Sequence, residues 1–127
     1  MRFLCLLVGS MSLVLLEAFQ PSSIRPVDQQ ALREYEGAYK WTDNSFVYLQ
    51  LWSEFSGKPE LVAFDESGEV RTLYPTDRDK FFAGPGCAIP GAVESRIEFH
   101  RNRDGRGHVT DLETRRSESP KRTADRY

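Results

Sequence analysis

The sequence predicts a small all-β domain, an antiparallel meander that closes into a barrel or folds into a sandwich, behind an N-terminal export signal. Three observations carry this. Seven or eight short segments rich in aromatic and β-branched residues follow one another at close, regular spacing, with turn chemistry between nearly every pair. A single stretch ahead of them carries a helix-start signal, and no internal repeat is visible. The opening residues have the composition of a cleavable leader.

That leader has one positive charge, Arg2, followed by an apolar or small-residue run from Phe3 to Leu16 that ends at Glu17. Such a run matches the ~7–15 residues of a signal core and is short of the ~20 that span a bilayer. Leu16 and Ala18 sit at signal-peptidase spacing, so cleavage is expected after Ala18. Residues 1–18 therefore read as signal, 19–31 as a linker punctuated by Pro21 and Pro26, and 32–127 as the domain. An uncleaved anchor or a buried N-terminal helix fits the length and flanks less well. Cys5 lies too early to be a lipid acceptor at the end of the apolar core. The expected destination is the periplasm or the medium, with no stable membrane anchor after cleavage. Cys87 is then the one cysteine left, so no internal disulfide forms and apolar burial must hold the fold. With 17 Lys and Arg against 19 Asp and Glu, interspersed to a net charge of −2, the chain lacks the basic excess of a nucleic-acid or anionic-membrane binder.

In chain order, Asp28 is placed to cap one or two helical turns through Tyr35, which Gly37 stops. Gly37–Trp41 is a first strand, Thr42–Ser45 a turn, and Phe46–Trp52 a second strand. Ser56–Pro59 turns the chain into Glu60–Phe64, and Asp65–Gly68 turns it into Glu69–Tyr74, which Pro75 is expected to end. Lys80–Phe82 is short and leads to a loop from Gly84 to Gly91. Val93–Arg101 alternates apolar and polar residues as a half-buried strand should. Asp104-Gly105 supplies the turn of a hairpin that returns through His108–Thr114. Arg122–Arg126 pairs as a last edge strand.

Signatures of catalysis are missing: there is no Gly-x-Ser-x-Gly elbow, no Ser-x-x-Lys, no Walker loop and no Rossmann glycine fingerprint. His100 and His108 flank the hairpin and with Asp111 or Glu98 would make a weak metal site; without a third His or Cys they read as exposed strand residues. The Asn102–Gly105 run superficially resembles a calcium loop, but His100 occupies the first ligand position and Asp111 the bidentate one. The carboxylate pairs Asp65/Glu66, Asp77/Asp79 and Glu34/Glu36 lie at turns or on polar faces, where solvated carboxylates are expected. No cofactor is expected. The aromatics are more informative. They either fill the core or line an apolar cavity, since barrels of about eight strands can hold one small ligand. The lining candidates are Tyr39, Trp41, Tyr48, Trp52, Phe64, Phe82 and Phe99.

Taken in order, several signposts run through the chain. Leu32-x-x-Tyr35-x-Gly37-x-Tyr39 opens the domain, and Leu73-Tyr74-Pro75 with Lys80-Phe81-Phe82 sits mid-chain. Ile97-x-Phe99-x-Arg101-x-x-Asp104-Gly105 leads to Val109-Thr110-x-Leu112, and Ala124-x-Arg126 closes it. From Leu32 to Arg126 the sequence thereby resembles the lipocalin-like domain appended to many serine hydrolases related to class C β-lactamases and penicillin-binding peptidases. The resemblance implies an eight-stranded antiparallel barrel, with Gly37 letting the first strand bend and Phe82 and Phe99 packing inward. In that family the catalytic serine belongs to a separate, larger domain, so no catalytic residue carries over. The expected function is an exported, non-catalytic accessory or binding module acting with a separate hydrolase or other extracytoplasmic partner. Its alternative is a carrier of a small lipophilic ligand inside the barrel, and a stand-alone enzyme using the His100/His108 hairpin comes third.

Overall fold

A computed structural model describes residues 24–42, 44–87, 90–116 and 121–127. The expected leader and the first part of the linker lie outside these residues. A short helix, α1 (Gln29–Arg33), precedes eight strands: β1 (Gly37–Thr42), β2 (Ser45–Trp52), β3 (Glu60–Asp65), β4 (Val70–Asp77), β5 (Lys80–Ala83), β6 (Ser95–Arg101), β7 (Val109–Arg116) and β8 (Arg122–Arg126). A single helical turn, α2 (Asn102–Gly105), joins β6 to β7. The strands pair antiparallel in sequence order, and β1 also pairs with β8, so the sheet is a closed eight-stranded barrel in up-and-down order.

Closure decides between the barrel and the sandwich, and it rests on the least apolar strand. In β8 only Ala124 is fully buried, yet Tyr39 and Lys40 of β1 pair with Arg126 and Asp125. The segment expected at an edge therefore has a neighbour on both sides, and the barrel leaves no unpaired strand to template aggregation. Two other expectations change. Pro75 does not end β4: the strand runs on to Asp77 through a bulge between Pro75 and Asp77, a position where a missing N–H is tolerated. The Asp-Gly hairpin is not a two-residue turn but α2, with Arg103 at φ +51°. There it is Gly107 that geometry demands, because a Cβ would overlap the Asn102 side chain.

One end of the barrel is plugged. Asp28 caps α1 through a side-chain bond to the Gln30 N–H, and the helix lays Leu32 and the following Tyr35 into the core. Ahead of it, Val27 packs on the core and the Arg25 N–H donates to the Pro75 carbonyl, so the chain is tied to the barrel before the helix begins. Tyr35 packs against Phe81 and Phe99 with ring centroids 5.0 and 4.6 Å away. Its hydroxyl donates to Asp79 Oδ1 at 2.8 Å. The same carboxylate oxygen takes the Arg101 Nε–H at 2.8 Å, and Arg101 Nη1 reaches Glu34 at 2.8 Å. Arg101 is nearly buried, at 6% side-chain exposure, and its guanidinium also lies over the Tyr35 ring. Arg126 completes the plug by donating to the carbonyls of Glu34, Glu36 and Val109. Gly37 belongs to this arrangement: it holds φ +149°, and a Cβ there would stand 3.0 Å from Arg126 Nε.

Two predictions follow from the plug. Replacing Arg101 by Met leaves Asp79 facing Tyr35 with only the exposed Arg78, 3.9 Å away, as a cation among the described residues. Breaking a buried pair on one side costs ~3–5 kcal/mol, so a loss of about 3 kcal/mol is expected in urea unfolding. Second, burial pushes the Tyr39 hydroxyl up to about 12, against the opposing pull of the Arg126 charge. The hydroxyl ionises near 10 in an unfolded chain. Its contribution is therefore complete below pH 10 and drains away between 10 and 12, by about 2 kcal/mol. Urea midpoints should fall steeply over that range, and less steeply in Tyr39→Phe, which loses the bond to the Tyr35 carbonyl at ~1 kcal/mol at neutral pH.

Candidate functional site

Strand alternation sorts the aromatics into two populations. Tyr39, Trp41 and Phe99 share the phase of the core residues and face the barrel interior. Tyr48, Trp52 and Phe82 do not, which corrects their expected lining role; Phe64 stacks its ring on Tyr48 on the outer face yet still borders the interior cavity. In β2 the interior phase belongs to Val47, Leu49 and Leu51, so Tyr48 and Trp52 stand outside, with Phe64 paired opposite Tyr48. The adjacent Phe81 and Phe82 must split between faces, and Phe81 and Ala83 take the inside. Phe82 stays buried on the outer face beside Tyr74, 5.3 Å between ring centroids, with Val62 and Thr72 alongside. Cys87 of the loop after β5 lies over that face, its Sγ 3.3 Å from Thr72 Oγ1. Phe46, Tyr48, Phe64 and Trp52 form a continuous outer ladder, with successive centroids 6.2, 5.5 and 5.4 Å apart.

The interior is consequently uneven. At the plugged end Tyr35, Tyr39, Phe81 and Phe99 fill it. Toward the other end the inward residues shrink to Ala63, Ala83 and Ser95, and a cavity of about 380 Å³ remains. Its floor and wall are apolar: Leu49, Leu73, Ile97, Leu112, Val47 and Trp41. Of the expected lining aromatics, Trp41 and Phe64 border this space while Tyr39 and Phe99 lie in the filled half.

The upper wall is charged. Arg71, Arg116 and Arg122 line the cavity at the ends of β4, β7 and β8, together with Asp65 and Glu69. Glu69 is shared between two of the cations, 3.2 Å from Arg71 and 3.6 Å from Arg116. Asp65 is engaged with its own turn, accepting from the Ser67 N–H at 2.9 Å and from its hydroxyl. Arg122 lies over the Trp41 ring, 4.9 Å from its centroid. The hydroxyl-bearing Ser95 and Thr114 line the same cavity.

Aromatics and histidines, the expected carriers of chemistry, do not point to these arginines. A signal did exist. Arg71 is in phase with Leu73, Arg116 with Leu112 and Thr114, and Arg122 with Ala124, so each strand places a cation on its inward face near one end. The histidine hairpin has a different fate. His100 bonds Asp111 through Nδ1 across the β6–β7 pair, on the outer face, while His108 is exposed near α2. The Thr110 hydroxyl has two acceptors in reach, Asp111 Oδ2 at 2.9 Å and the His100 carbonyl at 3.3 Å. Among the described residues no group of three or more His, Cys, Asp or Glu is placed to hold a metal ion. No protein-family model, curated protein or solved structure matches the chain.

Chemically, the site offers an apolar recess and a cationic rim with hydroxyls, which are means of binding and orienting. The rim adds little to the fold, because its ion pairs are solvated: Arg116 keeps 64% of its side chain exposed. Glu69→Gln should therefore shift stability by less than ~1 kcal/mol in urea unfolding, and a larger loss would make the rim structural.

Proposed function

We propose that this chain is a binding module whose barrel takes one small, largely apolar ligand. The observation that carries this reading is the division of the interior into a packed half and a half with a cavity of about 380 Å³. A volume of that size falls within the ~300–1,000 Å³ of small-molecule sites. Domain interiors otherwise pack densely, with few voids larger than a water molecule. The apolar lining accounts for affinity, at ~0.8 kcal/mol per methylene removed from water. The leader-like composition of residues 1–18 supports an exported protein, secreted or periplasmic, whose ligand would be met outside the cytoplasm.

A second reading, the accessory module that acts with a separate hydrolase, draws on the outer ladder. That ladder ends in Phe55, exposed to 49%, beside Trp52. Capture of the same hydrolase from native extracytoplasmic fractions by the purified chain, lost in a Trp52→Ser/Phe55→Ser variant, would support it. Absence of any reproducible partner would remove it.

The carrier reading is tested with a neutral apolar dye, N-phenyl-1-naphthylamine. Of the 2 tryptophans, Trp41 faces the cavity and Trp52 the outside, so Trp52→Phe leaves a single internal reporter. Dye binding should quench Trp41 in that variant. Ala63→Leu, which extends a side chain into the cavity, should abolish quenching while preserving the unfolding free energy in urea to within ~1 kcal/mol. Unchanged dye binding in Ala63→Leu would place the dye elsewhere and end the reading.

A further inference from the structure

We infer that the cavity selects an amphiphile with an acidic head group, a carboxylate or a phosphate monoester, bound tail-down with its head at the arginine rim. This inference rests on the carrier reading and adds the chemical class of the ligand. Three guanidiniums line one small recess, and the two carboxylates that share it are already engaged. Glu69 answers both Arg71 and Arg116, and Asp65 holds the Ser67 turn. Among the described residues no carboxylate pairs with Arg122; it is held in place by the face of Trp41, which leaves its N–H groups available. The local count is three positive charges against two negative, an excess of one, matched to one anionic head.

Geometry makes the ligand an amphiphile rather than a free anion. Leu112 stands four positions from Arg116 on the same strand, so the cation and the apolar floor are ~13 Å apart along β7. A tail lying against Leu49, Leu73, Ile97 and Leu112 brings its head group level with Arg116, Arg122, Ser95 and Thr114. Guanidiniums suit this task because their planar N–H pairs meet carboxylate or phosphate oxygens two at a time. The apolar wall below strengthens the interaction by lowering the local dielectric. A cationic head group would instead meet Arg122 on Trp41 and a Glu69 already bridged twice. A neutral head group would leave the excess charge unanswered.

The test is displacement of N-phenyl-1-naphthylamine from the full chain by four ten-carbon probes, each kept below its micelle concentration: decanoate, decyl phosphate, decanol and decyltrimethylammonium. Decanoate, decyl phosphate or both should bind at least ~10-fold more tightly than decanol, the range of one charge-assisted hydrogen bond. Which of the two anions wins separates a fatty-acid-like ligand from a phosphate ester. The advantage should collapse toward parity in Arg116→Gln/Arg122→Gln, read as the ratio of anion to decanol affinity within that variant, so that any change in dye affinity cancels. In the unaltered protein it should also shrink between 0.05 and 1 M salt, by roughly the screening of an exposed ion pair, a readout that needs no variant. Decanol binding as tightly as both decanoate and decyl phosphate, or the ammonium binding best, would overturn the anionic class and leave the carrier reading standing. No dye binding and no displacement by any probe would overturn both.

Discussion

The interaction on which the rest depends is the three-way contact of Tyr35, Asp79 and Arg101 at the plugged end. An antiparallel barrel of eight short strands has two open ends, and backbone pairing does nothing to close either. Here one carboxylate at the tip of the β4–β5 hairpin accepts from a tyrosine hydroxyl arriving with α1 and from an arginine at the end of β6. Three segments far apart in sequence are thereby fixed to one another. Asp79 sits at φ +61°, and its carbonyl takes the Phe99 N–H at 2.8 Å, so the strained tip is held by backbone as well as side chain. Burial works against the Arg101 charge, but bonds to Asp79, Tyr35 and Glu34 outweigh it and hold its pKa above the ordinary arginine value. With that end sealed, the aromatic residues beneath it form a continuous packed floor, and the space left inside the barrel lies toward the opposite end.

Much of this architecture is legible in the sequence, and the parts that are not have definite physical reasons. The strands of the first half follow from aromatic and β-branched runs between turn residues, and the helix from Asp28 ahead of Gln29–Arg33. Closure is not legible, because Arg122–Arg126 has one buried apolar residue and looks like an edge until β1 is beside it. Side-chain direction is less legible still. In Phe46–Trp52 both phases are apolar, so the sequence offers aromatics on one face and aliphatics on the other; the core takes the aliphatics, which fit a narrow barrel. The same ambiguity sends Phe82 outward while Phe81 turns in. The cavity arginines are not legible for a different reason: a charge on a strand is ordinarily solvated, and only its phase with the apolar residues marks it as inward. Phase was the better guide than charge.

The two ends of the barrel place the same residue type in the same inward phase and treat it differently. At the plugged end Arg101 and Arg126 are answered by carboxylates of Glu34 and Asp79 and by carbonyls of Glu34, Glu36 and Val109. Most of those acceptors come from α1 and the residues just after it, so the helix is what converts two inward arginines into structure. At the other end Arg71 meets Glu69 and the carbonyl of its neighbour Val70, Arg116 shares the same glutamate, and Arg122 lies on a tryptophan face. An arginine directed toward a low-dielectric interior is stable only if something accepts its hydrogen bonds, whether protein, water or a bound anion. At the rim, water serves while the guanidiniums reach solvent. Under the carrier proposal, a ligand filling the apolar recess would displace that water from the inner side of the rim. It must then bring acceptors of its own, which ties the chemistry of the head group to the burial of the tail.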